Sequence, residues 1–180
     1  MRADAQRALA QLRSQGVKLA MLSGDAPMRA ALLAERLGIA DVRGGATPAD
    51  KLAAVAARQG EGRRVAMVGD GLNDAPVLAR ADVSFAFAHG SAVARSGADV
   101  VLLGDRLADV ALARTQSQRT LRVIRQNLAW AALYNAACVP LALVGWLPPW
   151  AAGIGMASSS LLVVLNALRV SRTSADEPKV

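Results

Sequence analysis

The sequence predicts an α/β domain with a parallel sheet, followed by a hairpin of two membrane-spanning helices. Short apolar runs alternate with helical patterns in the first part of the chain, which is typical of a doubly wound sheet. From Leu128 to Leu168 the chain is almost uncharged and long enough to cross a bilayer twice. The predicted organisation is an α/β domain over residues 1–105, a stalk helix over 106–126, a transmembrane hairpin over 127–170 and a disordered tail over 171–180.

Composition supports a membrane protein and argues against a nucleic-acid partner. Hydrophobic residues make up 53% of the 180 residues, and the net charge is +7. Aromatic residues are only 3%, and no arginine-rich tract alternates with stacking side chains, as a nucleic-acid surface would require. Arg122 and Arg125 precede the apolar stretch, and Arg169 and Arg172 follow it, as expected of cytosolic flanks. Both ends of the chain are therefore predicted to be cytosolic.

The first elements are marked by their apolar spacing and by their turn residues. Alanine and leucine at helical spacing predict a helix over residues 3–14, and Gly16 is placed to end it. The apolar run 17–22 predicts a buried strand that is closed by Ser23-Gly24-Asp25. A helix is predicted over 27–37, because proline is favoured in the first turn.

The next helix and strands follow the same alternation. Thr47-Pro48-Ala49-Asp50 predicts a helix cap, with Lys51 in the first turn of the helix. We predict a strand over 65–68, a short helix over 73–80, and further strands over 83–87 and 100–103. Apolar spans are predicted over 127–147 and 151–170, joined by a tight turn at Pro148-Pro149-Trp150.

The strongest signal for chemistry is the segment 67–76, which reads MVGDGLNDAP. Ordinary turn chemistry explains Gly69-Asp70-Gly71 alone, but not the Asn73-Asp74-Ala75-Pro76 that follows. The strand delivers Asp70 to the carboxyl edge of the sheet, where open α/β sheets bind ligands, and Asp74 follows one turn later. Two carboxylates at that edge suit a Mg²⁺ ion that bridges to phosphate.

Two weaker features precede this segment in the chain. The hydroxyl and backbone N–H groups of Ser23-Gly24-Asp25 would hold a phosphoryl oxygen, although such a segment alone is more often a simple turn. Lys51 would give phosphoryl oxygens a fixed positive charge, although a lone helical lysine is nearly always solvated. Their order along the chain, each at the end of a predicted element, favours a phosphate site.

Taken together, these motifs resemble the haloacid dehalogenase-like phosphorylation domain of P-type ATPases. The resemblance implies ATP as substrate and Mg²⁺ as cofactor, with Ser23 and Lys51 contacting the phosphoryl group. It also implies that Asp70 coordinates Mg²⁺ and that Asn73 and Asp74 complete the site. The remaining phosphate-site positions of the motifs are Gly24, Asp25, Gly69 and Gly71.

The chain also departs from that family. The nucleophile of the family is the aspartate of Asp-Lys-Thr-Gly-Thr, a sequence that does not occur here. We expect it upstream of Met1, on the central strand, together with the nucleotide-binding domain. The predicted sheet is therefore incomplete and should expose two pairing edges. The family's Gly-Thr-Asp is replaced by Gly90-Ser91-Ala92, and His89 beside it is expected to be a loop residue.

Polar residues in the apolar spans suggest the transported ion. Tyr134-Asn135 and the pair Met156 and Ser160 resemble the Cu(I) transporters of the heavy-metal branch. A thioether favours a soft ion, and the span residues include no aspartate, glutamate or lysine to hold a hard divalent one. Other polar residues, such as Asn166, are interpreted as helix-packing groups, and Cys138 as a packing residue.

The resemblance implies the C-terminal fragment of a Cu(I)-exporting ATPase in a bacterial-type inner membrane. Its expected partners are Cu(I), Ag(I), a copper chaperone and the missing N-terminal half. One alternative is a non-catalytic accessory protein or split half that needs an N-terminal partner. A less favoured alternative is a membrane-anchored phosphatase, which would require a nucleophilic aspartate that the sequence does not supply.

Overall fold

The computed structural model describes residues 3–69 and 74–173, and the chain divides into two compact units. The first unit covers residues 1–112 and the second residues 113–180. Each unit is described by itself.

The first unit is an α/β domain in which strands and helices alternate, as predicted. Its elements are α1 (Ala5–Ser14), β1 (Ala20–Leu22), α2 (Pro27–Leu37), β2 (Asp41–Arg43), α3 (Pro48–Gly60), β3 (Ala66–Gly69), α4 (Ala75–Arg80), β4 (Val83–Phe87), α5 (Ala92–Ser96) and β5 (Val100–Leu102). Helix α6 (Ala108–Leu143) begins in this unit and continues into the second, which also contains α7 (Pro149–Thr173).

Helix ends in the first unit follow local signals. Helix α2 begins at Pro27 and is ended by Gly38, whose φ of 66° lies in the left-handed region that glycine tolerates. Helix α3 has a complete capping box: the Thr47 hydroxyl accepts a bond from the Asp50 backbone N–H, and the Asp50 carboxylate accepts one from the Thr47 N–H. Helix α2 has the bounds that the sequence predicts, and α3 begins at the predicted cap.

All strand pairs described in the first unit are parallel, but they form two sheets rather than one. Strand β1 pairs with β2, and β3, β4 and β5 pair in that order. The sequence predicts an incomplete sheet that exposes two pairing edges, and the separation into two sheets is consistent with this expectation. Within the described residues, β1, β2, β3 and β5 each keep one edge without a strand partner.

Helices cover both sheets with small and branched side chains. Leu9, Ala34 and Ile39 form a core cluster beside the first sheet. In the second sheet, Phe85–Phe87 are buried together with Val77 and Leu78 of α4. The buried Ser84 hydroxyl donates to the Asp99 carboxylate at 2.7 Å, which ties β4 to the loop before β5. Burial of a hydroxyl is tolerated here because it is paired.

Asp82 organises the amino ends of the strands, at the edge opposite the segment that follows β3. Its carboxylate accepts bonds from the Val65 backbone N–H, the Gln59 amide and the Arg64 guanidinium. These donors, the Val65 N–H foremost, lower the pKa of Asp82 from 3.8 to about 2.

In the second unit, α6 and α7 lie antiparallel and are joined by side-chain hydrogen bonds. The Gln116 side-chain amide donates to the Val170 backbone carbonyl at 3.3 Å, and the Asn166 side-chain amide donates to the side-chain oxygen of Asn127 at 2.8 Å. The Trp130 indole donates to the Ser159 hydroxyl at 3.0 Å. Hydrogen bonds between helices of this kind hold helix pairs together where there is little water.

The connection between these helices differs from the predicted one. Helix α6 ends at Leu143, earlier than the predicted 147, because Gly145 turns the chain with a φ of 79°. Pro149 begins α7 instead of belonging to the turn. Among the described helices, the stretch Pro149–Val170 is long and apolar enough to cross a membrane by length and composition. Helix α7 continues to Thr173, and residues 174–180 of the predicted tail lie outside the described residues.

Because its hydroxyl closes the capping box of α3, we expect Thr47→Ala to lower the free energy of unfolding of the first unit by about 1 kcal/mol. Urea unfolding measures this loss of free energy, and hydrogen exchange measures the protection of the α3 amides. The matched control is Ser14→Ala, whose hydroxyl only donates to a carbonyl in its own helix. Equal stability of the two variants would contradict the cap assignment.

The low pKa of Asp82 predicts a pH-dependent contribution to stability. The folded pKa is depressed, so the contribution is present above the ordinary value of 3.8 and is lost as the pH falls toward about 2. Asp82→Asn should therefore destabilise the protein at neutral pH, and the difference from wild type should disappear near the lower value.

Urea titrations over that pH range test this expectation. Asp41→Asn serves as the control, because Asp41 forms an exposed ion pair with Arg58 and such pairs contribute little. A difference between Asp82→Asn and wild type that is independent of pH would refute the explanation.

Candidate functional site

An ion pair lies at the carboxyl end of β3. The Lys51 ammonium donates to the Asp74 carboxylate, with Nζ and Oδ1 2.6 Å apart. Only 13% of the Lys51 side chain and 15% of the Asp74 side chain are exposed. Charged groups this far from water require partners, so neither residue is a solvated surface charge.

Gly69, the last residue of β3, lies directly against the Asp74 side chain of this pair. A Cβ atom added at Gly69 would lie 3.1 Å from the Asp74 Cβ and 3.3 Å from Asp74 Oδ2. The absence of a side chain therefore lets the Asp74 carboxylate lie against the end of the strand. The position of Gly69 in the motif is explained by this close approach.

Lys51 is oriented by the cap of its own helix. The Asp50 carboxylate accepts bonds from the Thr47 hydroxyl and backbone N–H, and Arg43 donates to it at 2.6 Å. The Thr47 hydroxyl is the main cause of a lowered pKa of Asp50, with the Thr47 N–H and the Arg43 charge adding to it. The first turn of α3 is thus fixed at the point from which Lys51 extends toward Asp74.

The Ser23-Gly24-Asp25 turn follows β1 directly. The Ser23 hydroxyl accepts a bond from the Asp25 backbone N–H at 3.1 Å, and the Ser23 N–H donates to the Arg43 carbonyl. Gly24 is exposed and lies in open surroundings. The turn therefore presents a hydroxyl and backbone groups at the carboxyl end of its own strand, as the sequence predicts.

The loop after β2 also shapes this turn, and the sequence analysis did not identify it. The Gly45 and Ala46 N–H groups donate to the Asp25 and Ser23 carbonyls. A Cβ atom at Gly44 would lie 2.5 Å from the Pro27 Cα, so only glycine fits there. The signal that would have found this loop is the Gly44-Gly45 dipeptide, a common turn marker.

The structure describes only some of the predicted phosphate-site residues. The structure brings Lys51, Gly69 and Asp74 together, and it places Ser23, Gly24 and Asp25 in a separate turn. Among described residues, no hydrogen bond joins the two groups. Asp70, Gly71 and Asn73 lie outside the described residues. The oxygen donors of Asp74 and Ser23 are of the hard type that Mg²⁺ prefers, so the chemistry of these residues fits that ion.

In the second unit, Tyr134 lies in the contact between α6 and α7. Its hydroxyl oxygen faces Gly155, where an added Cβ atom would come within 2.7 Å. Cys138 lies one turn further along α6 and is partly buried. Asn135, Met156 and Ser160 are exposed, with 66% of Met156 accessible.

Helix geometry relates these exposed residues to the contact. Asn135, Met156 and Ser160 each follow directly after a residue of the α6–α7 contact, namely Tyr134, Gly155 and Ser159. Each residue turns an α-helix by about 100°. In an antiparallel pair, the residue that follows a contact residue therefore faces the same side of the pair in both helices. The three exposed residues therefore lie on one lateral side of the helix pair.

Loss of one partner of the Lys51–Asp74 pair should be costly. We expect Lys51→Met to destabilise the first unit by about 3 kcal/mol, because it leaves the Asp74 carboxylate nearly buried without its counter-charge. The double variant Lys51→Met/Asp74→Asn should recover part of that loss, which urea unfolding of the wild type, Lys51→Met, Asp74→Asn and the double variant would measure. Strictly additive effects would show that the pair is not coupled.

Comparison with known proteins finds a family model that matches part of the first unit and similar proteins that match most of the chain. Residues 1–82 match the family model described as a haloacid dehalogenase-like hydrolase. Copper-exporting P-type ATPases of several Staphylococcus aureus strains, including JH9 and Newman, are 45% identical over 168 residues. That alignment covers 93% of this chain but only 21% of the relatives, so the chain spans about a fifth of their length.

Solved structures agree with this result. The crystal structure of a zinc-transporting PIB-type ATPase in its E2.Pi state has a TM-score of 0.88 and 35% identity, covering 94% of this chain and 28% of that one. The catalytic domain of the CPx-ATPase CopB-B has a TM-score of 0.58 and 32% identity, covering 61% of this chain and 44% of that one. Over nearly all its length, then, the chain is similar to one part of the heavy-metal P-type ATPases, and its N-terminal region is haloacid dehalogenase-like.

Proposed function

We propose that the chain is the C-terminal part of a Cu(I)-translocating P-type ATPase, which couples ATP hydrolysis through an aspartyl phosphate to copper export. The observation that carries the proposal is the nearly buried Lys51–Asp74 pair at the carboxyl end of β3. The names of the 45% identical relatives support copper as the transported ion.

In this proposal, Lys51 is the fixed positive charge of the phosphoryl site. Its ammonium lies in a region that excludes most water, where a charge acts more strongly on phosphoryl oxygens. Asp74, with Asp70 and Asn73 of the same segment, would hold Mg²⁺. When bound, this ion would neutralise charge on the phosphoryl oxygens. The Ser23 hydroxyl and the Gly24 N–H would hold an oxygen of the same group, since the Ser23 and Asp25 N–H groups already have acceptors.

The acceptor of the phosphoryl group is an aspartate that these 180 residues do not supply. The open edges of β1 and β3 suit a parallel strand that delivers this aspartate between the Ser23 turn and the Lys51–Asp74 pair. Its carboxylate would attack the γ-phosphorus of ATP, the bond to the ADP oxygen would break, and ADP would leave. Water then hydrolyses the aspartyl phosphate.

Helices α6 and α7 are proposed to anchor this site to the membrane. The stretch Pro149–Val170 suffices to span a bilayer, and the apolar part of α6 runs antiparallel to it. Arginines at both open ends of the hairpin favour a cytosolic location for the first unit. The proposed location is a bacterial-type inner membrane, which the protein would cross more than once.

Cu(I) is proposed to bind on the lateral side that carries Asn135, Met156 and Ser160, next to Tyr134. The Met156 thioether is a soft ligand, and the apolar parts of both helices contain no carboxylate for a hard divalent ion. The exposure of these residues supports a site completed by helices from the rest of the ATPase. Ag(I), which is equally soft, is a second substrate under this proposal.

The open strand edges also favour a second candidate, in which the chain is a separately encoded half that works only in complex. The residues at the site would keep the same roles, and an N-terminal partner would supply the missing strand. The isolated chain should then lack ATPase activity, and mixing it with the N-terminal half should restore activity.

Two substitutions in the full-length ATPase separate the phosphoryl site from the ion site. Asp70→Ala should abolish phosphorylation by ATP, because a proposed Mg²⁺ ligand is lost. Met156→Ala should weaken Cu(I) binding about tenfold or more and leave Mg²⁺ binding unchanged. Phosphoenzyme formation and Cu(I) titration with a competing chelator measure the two effects.

The matched control is Ile154→Ala, an exposed apolar residue of the same helix. Wild-type Cu(I) affinity in the Met156 variant would remove Met156 from the proposed site. Undiminished phosphorylation of the Asp70 variant would remove Asp70 from the phosphoryl site.

A further inference from the structure

The contact between Tyr134 and Gly155 is the closest approach of a side chain to any described glycine of the second unit. A Cβ atom at Gly155 would lie 2.7 Å from the Tyr134 hydroxyl oxygen and 3.5 Å from the ring atoms Cε2 and Cζ. A Cβ atom essentially never lies closer than 3.0 Å to a heavy atom of another residue that is not its chain neighbour. The phenol oxygen therefore occupies space that exists only because residue 155 has no side chain.

Gly153, two residues earlier in α7, provides a direct contrast. A Cβ atom added there meets nothing within 4 Å. Both glycines lie in the same helix, and neither has the positive φ that would require glycine for backbone reasons. The requirement at Gly155 thus comes from the approach of Tyr134 and not from the backbone of α7.

Hydrogen bonds between α6 and α7 fix the position along α7 at which the Tyr134 hydroxyl fits. The Trp130 indole donates to the Ser159 hydroxyl one turn away, and Asn127 bonds to Asn166 two turns beyond that. These bonds set the register of the two helices, so that the Tyr134 hydroxyl meets α7 at the residue that precedes Met156.

We infer that Gly155 is a positioning residue for the ion site, because it admits the Tyr134 hydroxyl to the α7 backbone beside Met156. The inference rests on the proposed function of Tyr134 and Met156 as Cu(I) ligands. A methyl group at residue 155 would push away the far end of the tyrosine side chain, which moves more readily than either helix. The helix pair would stay folded while the phenol oxygen left the site.

The test uses the full-length ATPase with four variants: Gly155→Ala, Gly153→Ala, Tyr134→Phe and the double variant Gly155→Ala/Tyr134→Phe. The measurements are the KM for Cu(I) in ATP hydrolysis and the level of phosphoenzyme formed from inorganic phosphate without Cu(I). We expect Gly155→Ala to raise the KM about tenfold and to leave the phosphoenzyme level unchanged. Gly153→Ala should resemble the wild type in both measurements.

The double variant distinguishes positioning from a general packing defect. If Gly155 acts through the tyrosine hydroxyl, Gly155→Ala should add little to the effect of Tyr134→Phe, which already lacks that oxygen. Additive effects, a KM unchanged by Gly155→Ala, or a reduced phosphoenzyme level in that variant would each overturn the inference. A wild-type enzyme that Cu(I) does not stimulate would instead overturn the proposed function itself.

Discussion

The ion pair between Lys51 and Asp74 is the interaction on which the site depends. It joins the first turn of α3 to the segment after β3, across 23 residues of sequence, with both side chains nearly buried. Removing two charges from water is costly unless they meet at short range, so the pair also restricts how α3 lies against the sheet. The capping box at Thr47 fixes the first turn of α3, and the lack of a side chain at Gly69 leaves room for the Asp74 carboxylate.

The parallel sheet places chemistry at one edge and structural bonds at the other. The carboxyl ends of β1 and β3 lead into the Ser23 turn and the Asp74 segment, whereas Asp82 ties the amino ends together. The described strands form two separate sheets, and β1 and β3 each have one open edge. A strand that paired with both of these edges would complete the sheet and the proposed phosphoryl site.

Much of this fold follows from local sequence signals, and the failures have physical causes. Helix α2 was predicted at its observed bounds and α3 at its observed start, because Pro27 and the Thr47 cap act within one turn. Strand β2 was missed, since Val42 is its only apolar residue and its pairing with β1 is a tertiary contact. The open pairing edges were expected from the missing central strand, whereas the order of the strands depends on pairing between distant segments, which spacing along the chain does not reveal.

The site was predictable in residue type but not in arrangement. The motif indicated Lys51 and Asp74, but their pairing requires the packing of α3 against β3. In the second unit, the sequence pointed to Tyr134 and Met156, whereas the role of Gly155 depends on the register of α6 against α7. A glycine between Ile154 and Met156 in an apolar helix gives no signal of its own.

Metal-directed cleavage tests the central claim most directly. Fe²⁺ replaces Mg²⁺ in the full-length ATPase, ascorbate and peroxide are added, and the backbone cuts near the bound ion are mapped by mass spectrometry. The account predicts cuts in both the Ser23–Asp25 turn and residues 69–74, and none beside Asp82. Cuts confined to one of these two segments, or found at the Asp82 edge, would show that the two groups do not share a metal site.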